Sequence, residues 1–277
     1  MKPTFFARLA ALEAADTPFV MATVIDHGGS TPRVAGARMA IWAEGFTGTI
    51  GGGAFELHVI ERARALLSGG GQVERVDVHL VRDLGMCCGG RMSVFMETVE
   101  PRPPLRIYGA GHIGTALAAI ADQAGFAVTV IDGRAEWADP TRFPASVHVE
   151  DAEPEDHLKA HPPGAAEFVV VVTHDHPLDE ALVRAMLPTI DTAPHYLGLI
   201  GSRGKWARFV KRYRARGFSD EKIAAVRCPV GLDLGGTTPA EIAVSIVAEL
   251  VLVRRGGPKW GEAVNAQVGA RAPEPGK

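Results

Sequence analysis

The chain has 277 residues, is 47% hydrophobic and 22% charged, and carries a formal net charge of −3. That length allows two domains or one large one, and the composition is that of a globular protein without the basic excess of a nucleic-acid binder. No run approaches the ~18 apolar residues of a membrane span, the first residues lack the apolar core of a signal peptide, and three cysteines, two of them adjacent, make no disulfide framework, so a reducing cytoplasm is the expected setting.

Residues 4–13 read as a short helix with Phe5, Leu9 and Leu12 on one face. Strands are expected at Phe19 to Ile25, Ala37 to Trp42 and Phe46 to Ile50, with a glycine- and proline-containing loop from Asp26 onward. Gly51-Gly52-Gly53 then opens a helix that closes at Ser68. Val73 to Leu80 and Arg91 to Val99 read as strands around the loop Asp83 to Gly90, which holds Cys87-Cys88. Residues 1–100 therefore suggest a small α+β domain with a mostly antiparallel sheet.

Pro101 to Pro104, P-R-P-P, reads as a stiff linker. From Leu105 the pattern becomes strand, glycine turn, helix, strand, acid. The strand is Leu105 to Tyr108, and glycines follow at 109, 111 and 114 in G-x-G-x-x-G spacing. An alanine-rich helix stops at Gly125, and the run Ala127 to Ile131 ends at Asp132. The interval from Gly109 to Asp132 is close to the ~20 residues of a dinucleotide fingerprint. Further strands are expected at 145–149, 168–173 and 195–200. Helices are expected from Pro177 to Leu187, from Lys205 to Arg216 with a charged face of Lys205, Arg208, Lys211, Arg212 and Arg214, and after the capping box Thr238-Pro239-Ala240-Glu241. The fold class is α/β: a C-terminal Rossmann-like, doubly wound parallel sheet over residues 105–255, preceded by the smaller α+β domain and followed by a tail, 256–277.

Five stretches are candidate sites. The backbone amides of Gly109, Ala110, Gly111, His112, Ile113 and Gly114 suit a phosphate; the alternative is a tight turn used only for packing. Asp132 suits a ribose hydroxyl, another polar ligand edge, or a cap at Gly133, and Arg134 favours a second phosphate. Gly51, Gly52 and Gly53 form a nest of amides for an anion, with Glu56 in the first helical turn, or merely a joint. Cys87 and Cys88 suit a nucleophile, a soft metal ligand or a sulfur carrier, against small packed side chains. His174, in Thr173-His174-Asp175-His176, lies at the carboxyl edge of the sheet, where ligands of doubly wound folds bind, though the same residues suit helix capping. Ser202 and Arg203 open the next helix and could form a second anion site. Cys228 reads as packing. No serine-hydrolase elbow, Walker loop or metalloprotease helix is present.

Several motifs together resemble the xanthine dehydrogenase accessory proteins of the XdhC/CoxI family. They are G-G-S-T-P-R-V-A-G-A-R-M at 28–39, I-G-G-G-A-F-E at 50–56, M-C-C-G-G-R-M at 86–92, I-Y-G-A-G-H-I-G at 107–114, V-T-H-D-H at 172–176, G-L-I-G-S-R at 198–203 and T-P-A-E-I-A-V-S-I-V-A-E at 238–249. The doubled cysteine departs from the single one expected before Gly-Gly. The resemblance implies a molybdenum-cofactor chaperone, a carrier rather than a turnover enzyme. It would hold the molybdopterin cofactor while a NifS-type cysteine desulfurase sulfurates it, then insert it into apo xanthine dehydrogenase. On that reading Cys87 and Cys88 are hypothetical molybdenum ligands or sulfur relays. Many carriers of this size form homodimers. Two alternatives stand beside it: an NAD(P)-dependent oxidoreductase, suggested by the fingerprint with Asp132, and an interaction protein that kept a Rossmann shell without a ligand.

Overall fold

A computed structural model describes residues 4–86 and 89–256. It divides the chain into two compact units, Met1–Arg102 and Pro103–Lys277. No helix among the described residues is long and apolar enough to cross a membrane.

The first unit is an antiparallel sheet in the order β3-β2-β1-β5-β4. Its strands are β1 (Phe19–Gly28), β2 (Arg38–Trp42), β3 (Gly45–Gly48), β4 (Val73–His79) and β5 (Arg91–Val99). Alternation decides its faces: Val20, Ala22 and Val24 of β1 share one side with Met39 and Ile41 of β2 and with Met92, Val94 and Met96 of β5. Helix α2 (Gly53–Ser68) covers that side with Phe55, Val59, Ile60 and Ala63. Helix α1 (Phe5–Ala14), capped by Thr4, packs Leu12 with Phe19 and Ala40. A bulge between Val24 and Asp26 breaks the β1–β5 register before the motif loop at Gly28.

The second unit is a parallel sheet in the order β10-β9-β6-β7-β8, that is, β6 (Pro104–Tyr108), β7 (Ala127–Asp132), β8 (His148–Asp151), β9 (Phe168–Val171) and β10 (Tyr196–Leu199). The strand order reverses at β6, so the crevice between the ends of β6 and β9 is the topological switch point. Both faces are covered, as the continuous apolar strands require. On one side Ile107, Val128, Val130 and Val170 meet Leu117, Ala118 and Ala121 of α4 (His112–Gln123) and Ile246 and Leu250 of α9 (Pro239–Arg254). On the other, Tyr108, Ile131, Val169 and Leu199 meet Leu182 and Val183 of α6 (His176–Met186) and Phe209 and Tyr213 of α7 (Arg203–Ala215). The capping box at Thr238 and Glu241 forms as the sequence predicts.

Four local expectations differ. Residues 80–84 form a short helix, α3 (Leu80–Leu84), where a strand end and a loop are expected. Asp83 accepts the His79 amide at 2.8 Å, and Gly85 closes the turn in a left-handed conformation at φ 62°. Two short helices, α5 (Pro154–Ala160) and α8 (Asp220–Ala224), fall where no helix is read; each is too short to show a period. Lys205 does not lie on a solvated face: it is 4% exposed, because a fully buried Asp179 meets it. Arg212, on the expected charged face, and Arg216 remain exposed but pair with the buried carboxylate of Glu180.

Candidate functional site

The glycine turn sits between β6 and α4, and its three glycines have different reasons. Gly109 has φ +115°, and a Cβ there would lie 2.4 Å from the Val172 carbonyl oxygen. A Cβ on Gly114 would lie 1.9 Å from the Gly109 carbonyl oxygen. Both are demanded by the close approach of the turn to its neighbours. Gly111 is not: its φ of −64° suits any residue, and a Cβ there would meet nothing within 4 Å. It is the N-cap of α4 and supplies no side-chain cap. The helix therefore presents its first amides, at His112, Ile113 and Gly114, under an open space.

A cationic layer lies beneath this turn. Arg142 donates to the carbonyls of Ala110 (3.3 Å) and Trp137 (2.7 Å). Its guanidinium stacks on the Trp137 ring at 4.6 Å, and Arg134 stacks there at 4.9 Å. His112 meets the same ring edge-on at 5.3 Å. Sequence reasoning missed Trp137 and Arg142; no motif marks them, and W-A-D-P-T-R reads as an ordinary loop.

Asp132 is 3% exposed and already engaged. It accepts from the Ala110 amide at 2.8 Å, the Arg134 amide at 3.1 Å, and the Arg134 guanidinium at 2.9 and 2.7 Å. Burial works to raise this carboxyl, and the Arg134 guanidinium with the two amides overcomes it, leaving it below its ordinary range. Asp132 thus ties the turn to the end of β7 and holds Arg134 in place.

Two cavities flank the α4 N-terminus. The smaller, about 250 Å³, is lined by Gly109, Asp132, Gly133, Arg134, Glu153 and His174 among others. The larger, about 710 Å³, runs from Ile113 past Arg203 and Cys228 to the loop Gly231–Gly236. Arg203 is exposed there, with no ion-pair partner among the described residues. Ser202 caps α7 by accepting the Lys205 amide at 3.2 Å. Burial pushes the Cys228 thiol up to about 12, so it is not a thiolate at neutral pH. The Gly231 amide donates to the buried Glu249 at 2.5 Å, which anchors the outer wall.

At the end of β9 the polar run divides its work. Thr173 donates its hydroxyl to Asp179 at 2.7 Å, and Asp175 caps α6 by accepting the Leu178 amide at 3.2 Å. His174 lines the smaller cavity, while His176 is 69% exposed in the first turn of α6. Asp179 then accepts Lys205 Nζ at 2.5 Å, and that ammonium also reaches the Ile200 carbonyl at 3.0 Å. One buried pair therefore ties the loop after β9, beside the smaller cavity, to the loop after β10, beside the larger.

In the first unit three motif stretches converge. A Cβ on Gly90 would lie 2.5 Å from the Ser30 carbonyl oxygen, and one on Gly51 would lie 2.7 Å from Pro32 Cγ. A Cβ on Gly53 would be 3.7 Å from Met86 Cε. Gly51, Gly52 and Gly53 all have positive φ, 136°, 74° and 63°. The amide nest already holds an anion of its own: Glu56 Oε2 accepts from Thr49 Oγ1 at 2.6 Å and from the amides of Ile50 and Gly52 at 3.1 Å each. Glu56→Ala is expected to cost about 2 kcal/mol in urea unfolding, since three donors lose their acceptor at a helix start; a change below about 0.5 kcal/mol would show that the carboxylate does not hold this turn. Cys87 and Cys88 lie outside the described residues. Among the described residues no group of three His, Cys, Asp or Glu is placed to hold a metal ion.

Comparison with known proteins matches both units. A family model described as the XdhC Rossmann domain covers residues 105–250, and one for the XdhC and CoxI family covers residues 12–77. YqeB of Escherichia coli K12 is 36% identical over 264 residues, 91% of this chain and 47% of that protein. A probable xanthine dehydrogenase subunit from Bacillus subtilis 168 is 32% identical over 163 residues, 59% of this chain and 46% of that protein. The chain thus spans about half the length of these curated relatives. The crystal structure of a xanthine dehydrogenase from Bacillus halodurans superposes with a TM-score of 0.52 at 22% identity, covering 94% of this chain and 98% of that one, a likeness of fold. With the glycine turn, the switch-point crevice and the first unit's motifs at 28–39 and 50–56 falling inside the matched ranges, the chain belongs to the XdhC and CoxI family.

Proposed function

We propose that this chain is a carrier in xanthine dehydrogenase maturation. It seats the molybdopterin cofactor by its phosphate on the amides at the start of α4, presents it to a cysteine desulfurase for sulfuration, and passes it to the apo-enzyme. The observation that carries this reading is Gly111. A turn used only for packing explains Gly109 and Gly114 but leaves a glycine at 111 without a reason, since neither φ nor any contact requires one. An approaching phosphate supplies that reason. Arg203, which lines the larger cavity with Ile113, and Arg142, bonded to the Ala110 carbonyl, add positive charge near the turn. Family membership and the name of the Bacillus subtilis relative support xanthine dehydrogenase as the recipient.

The dehydrogenase reading fits less well. It needs Asp132 to accept a ribose hydroxyl, and that carboxylate already takes four N–H groups, three of them from Arg134. A titration separates the two readings. The carrier should bind molybdopterin cofactor tightly and NADH weakly, and its complex should restore activity to apo xanthine dehydrogenase. Tight NADH binding with no affinity for the cofactor would overturn the proposal. In the same assay Cys87→Ala/Cys88→Ala should bind cofactor yet restore nothing if the cysteines relay sulfur; full restoration rejects the relay and leaves the carriage intact.

A further inference from the structure

We infer that the smaller cavity selects a heterocycle presenting two adjacent N–H groups, the 2-amino-4-oxopyrimidine edge shared by pterins and guanine, with Glu153 as the acceptor. The inference rests on the phosphate seat proposed above and names what sits beside it.

Most polar groups lining this cavity are engaged within the chain. Asp132 and Arg134 hold each other, and Thr173 is bonded to Asp179 through both its amide and its hydroxyl. Glu153 differs. It follows β8 by two residues, beside the strand that carries Asp132. Its carboxylate is exposed and makes no hydrogen bond or ion pair among the described residues, not even as a cap for the helix it precedes.

Its carboxylate lies against Gly133. A Cβ on Gly133 would lie 2.5 Å from Glu153 Oε1 and 2.9 Å from Oε2. Gly133 has no left-handed φ that would call for glycine; a Cβ there would have to displace this carboxylate. Both oxygens therefore lie beside Gly133, which lines the cavity. A carboxylate so placed accepts two parallel N–H groups, and such charge-assisted pairs are among the stronger neutral-to-ion contacts. The N–H and exocyclic NH₂ of a pterin or guanine edge match it. An adenine edge sets one N–H beside a ring acceptor, which would face the second oxygen lone pair to lone pair.

GMP and IMP, which differ only in the 2-amino group, test the assignment by isothermal titration on the full chain. GMP should bind about tenfold more tightly than IMP, the worth of one hydrogen bond to a charged group. Glu153→Gln should bring the two within about twofold. Gly133→Ala, which displaces the carboxylate without removing it, should do the same and guards against a misleading single variant. Neopterin monophosphate run beside GMP distinguishes the sources of the edge: tighter binding of the pterin assigns the cavity to the cofactor, tighter binding of GMP to a guanine nucleotide, and both support Glu153 as reader. Equal affinities for GMP and IMP in the unaltered chain, or a preference undiminished in Glu153→Gln, overturn the assignment and leave the phosphate seat standing. Failure of every phosphate-bearing probe to bind removes the seat and the assignment together.

Discussion

Gly111→Asp is expected to abolish phosphate-dependent ligand binding while leaving the fold as stable as before. The two halves of that expectation come from the same geometry. Gly111 is the N-cap of α4, with φ −64° and ψ −174°, open to any residue, and nothing lies within 4 Å of the added Cβ. Aspartate is among the best N-cap residues, and replacing glycine by it gains a few tenths of a kcal/mol, roughly, through a bond to the second or third helical amide. The helix thus forgoes a better cap. The cost of taking it would fall on the ligand: the carboxylate occupies the amides that would hold the phosphate and repels it besides. A loss of at least a hundredfold in affinity, about 3 kcal/mol, should follow. Calorimetric titration and a thermal melt measure the two effects on one sample. Gly114→Ala is the contrasting control. Its Cβ would lie 1.9 Å from the Gly109 carbonyl oxygen, so it should lower the melting temperature whether or not a ligand binds. If Gly111→Asp binds as the unaltered chain does, the phosphate does not sit here.

That contrast also marks what could be read without coordinates. The spacing of Gly109, Gly111 and Gly114 after a strand and before an alanine-rich helix announces the turn, because strand period, glycine and acid are all local signals. The parallel sheet and its longer helices followed from such signals, and so did the capping box at Thr238. What stayed hidden depends on distant pairing. Nothing in K-W-A-R-F-V says that Lys205 turns inward rather than toward solvent; that is decided 26 residues away by Asp179. Glu56 was legible as a first-turn acid, but not that its carboxylate would accept from Thr49, Ile50 and Gly52. Glu153 and Gly133 lie 20 residues apart in sequence that bears no motif, and only the adjacency of β7 and β8 sets one over the other. Local periodicity carries elements; it does not carry which polar side chains meet.

Lys205→Met is expected to destabilise the second unit by about 3–5 kcal/mol at neutral pH, the range found when one partner of a buried ion pair is removed. The ammonium is 4% exposed and Asp179 is wholly buried, so the variant strands a carboxylate with Thr173 bonded to it and the His176 ring 3.8 Å away. Burial already pushes the Asp179 carboxyl up in the intact protein, with Lys205 and Thr173 pulling the other way. Without Lys205 it must rise further. A carboxyl raised in the folded state favours folding while protonated, below its unfolded pKa, and loses that contribution as pH rises through the folded value. The deficit of Lys205→Met should therefore be smallest near pH 4 and widen toward pH 7. Urea unfolding at both pH values reads this directly, and a deficit that is the same at each would mean the pair does not bear the load. Asp179→Leu/Lys205→Met should recover most of the lost stability, because no buried charge is left unpaired. Binding should not recover with it. Thr173, beside the smaller cavity, and the Ile200 carbonyl, beside the larger, lose the groups that fix them, so a stable double variant that still binds the phosphate ligand poorly separates the positioning role of this pair from its part in holding the fold.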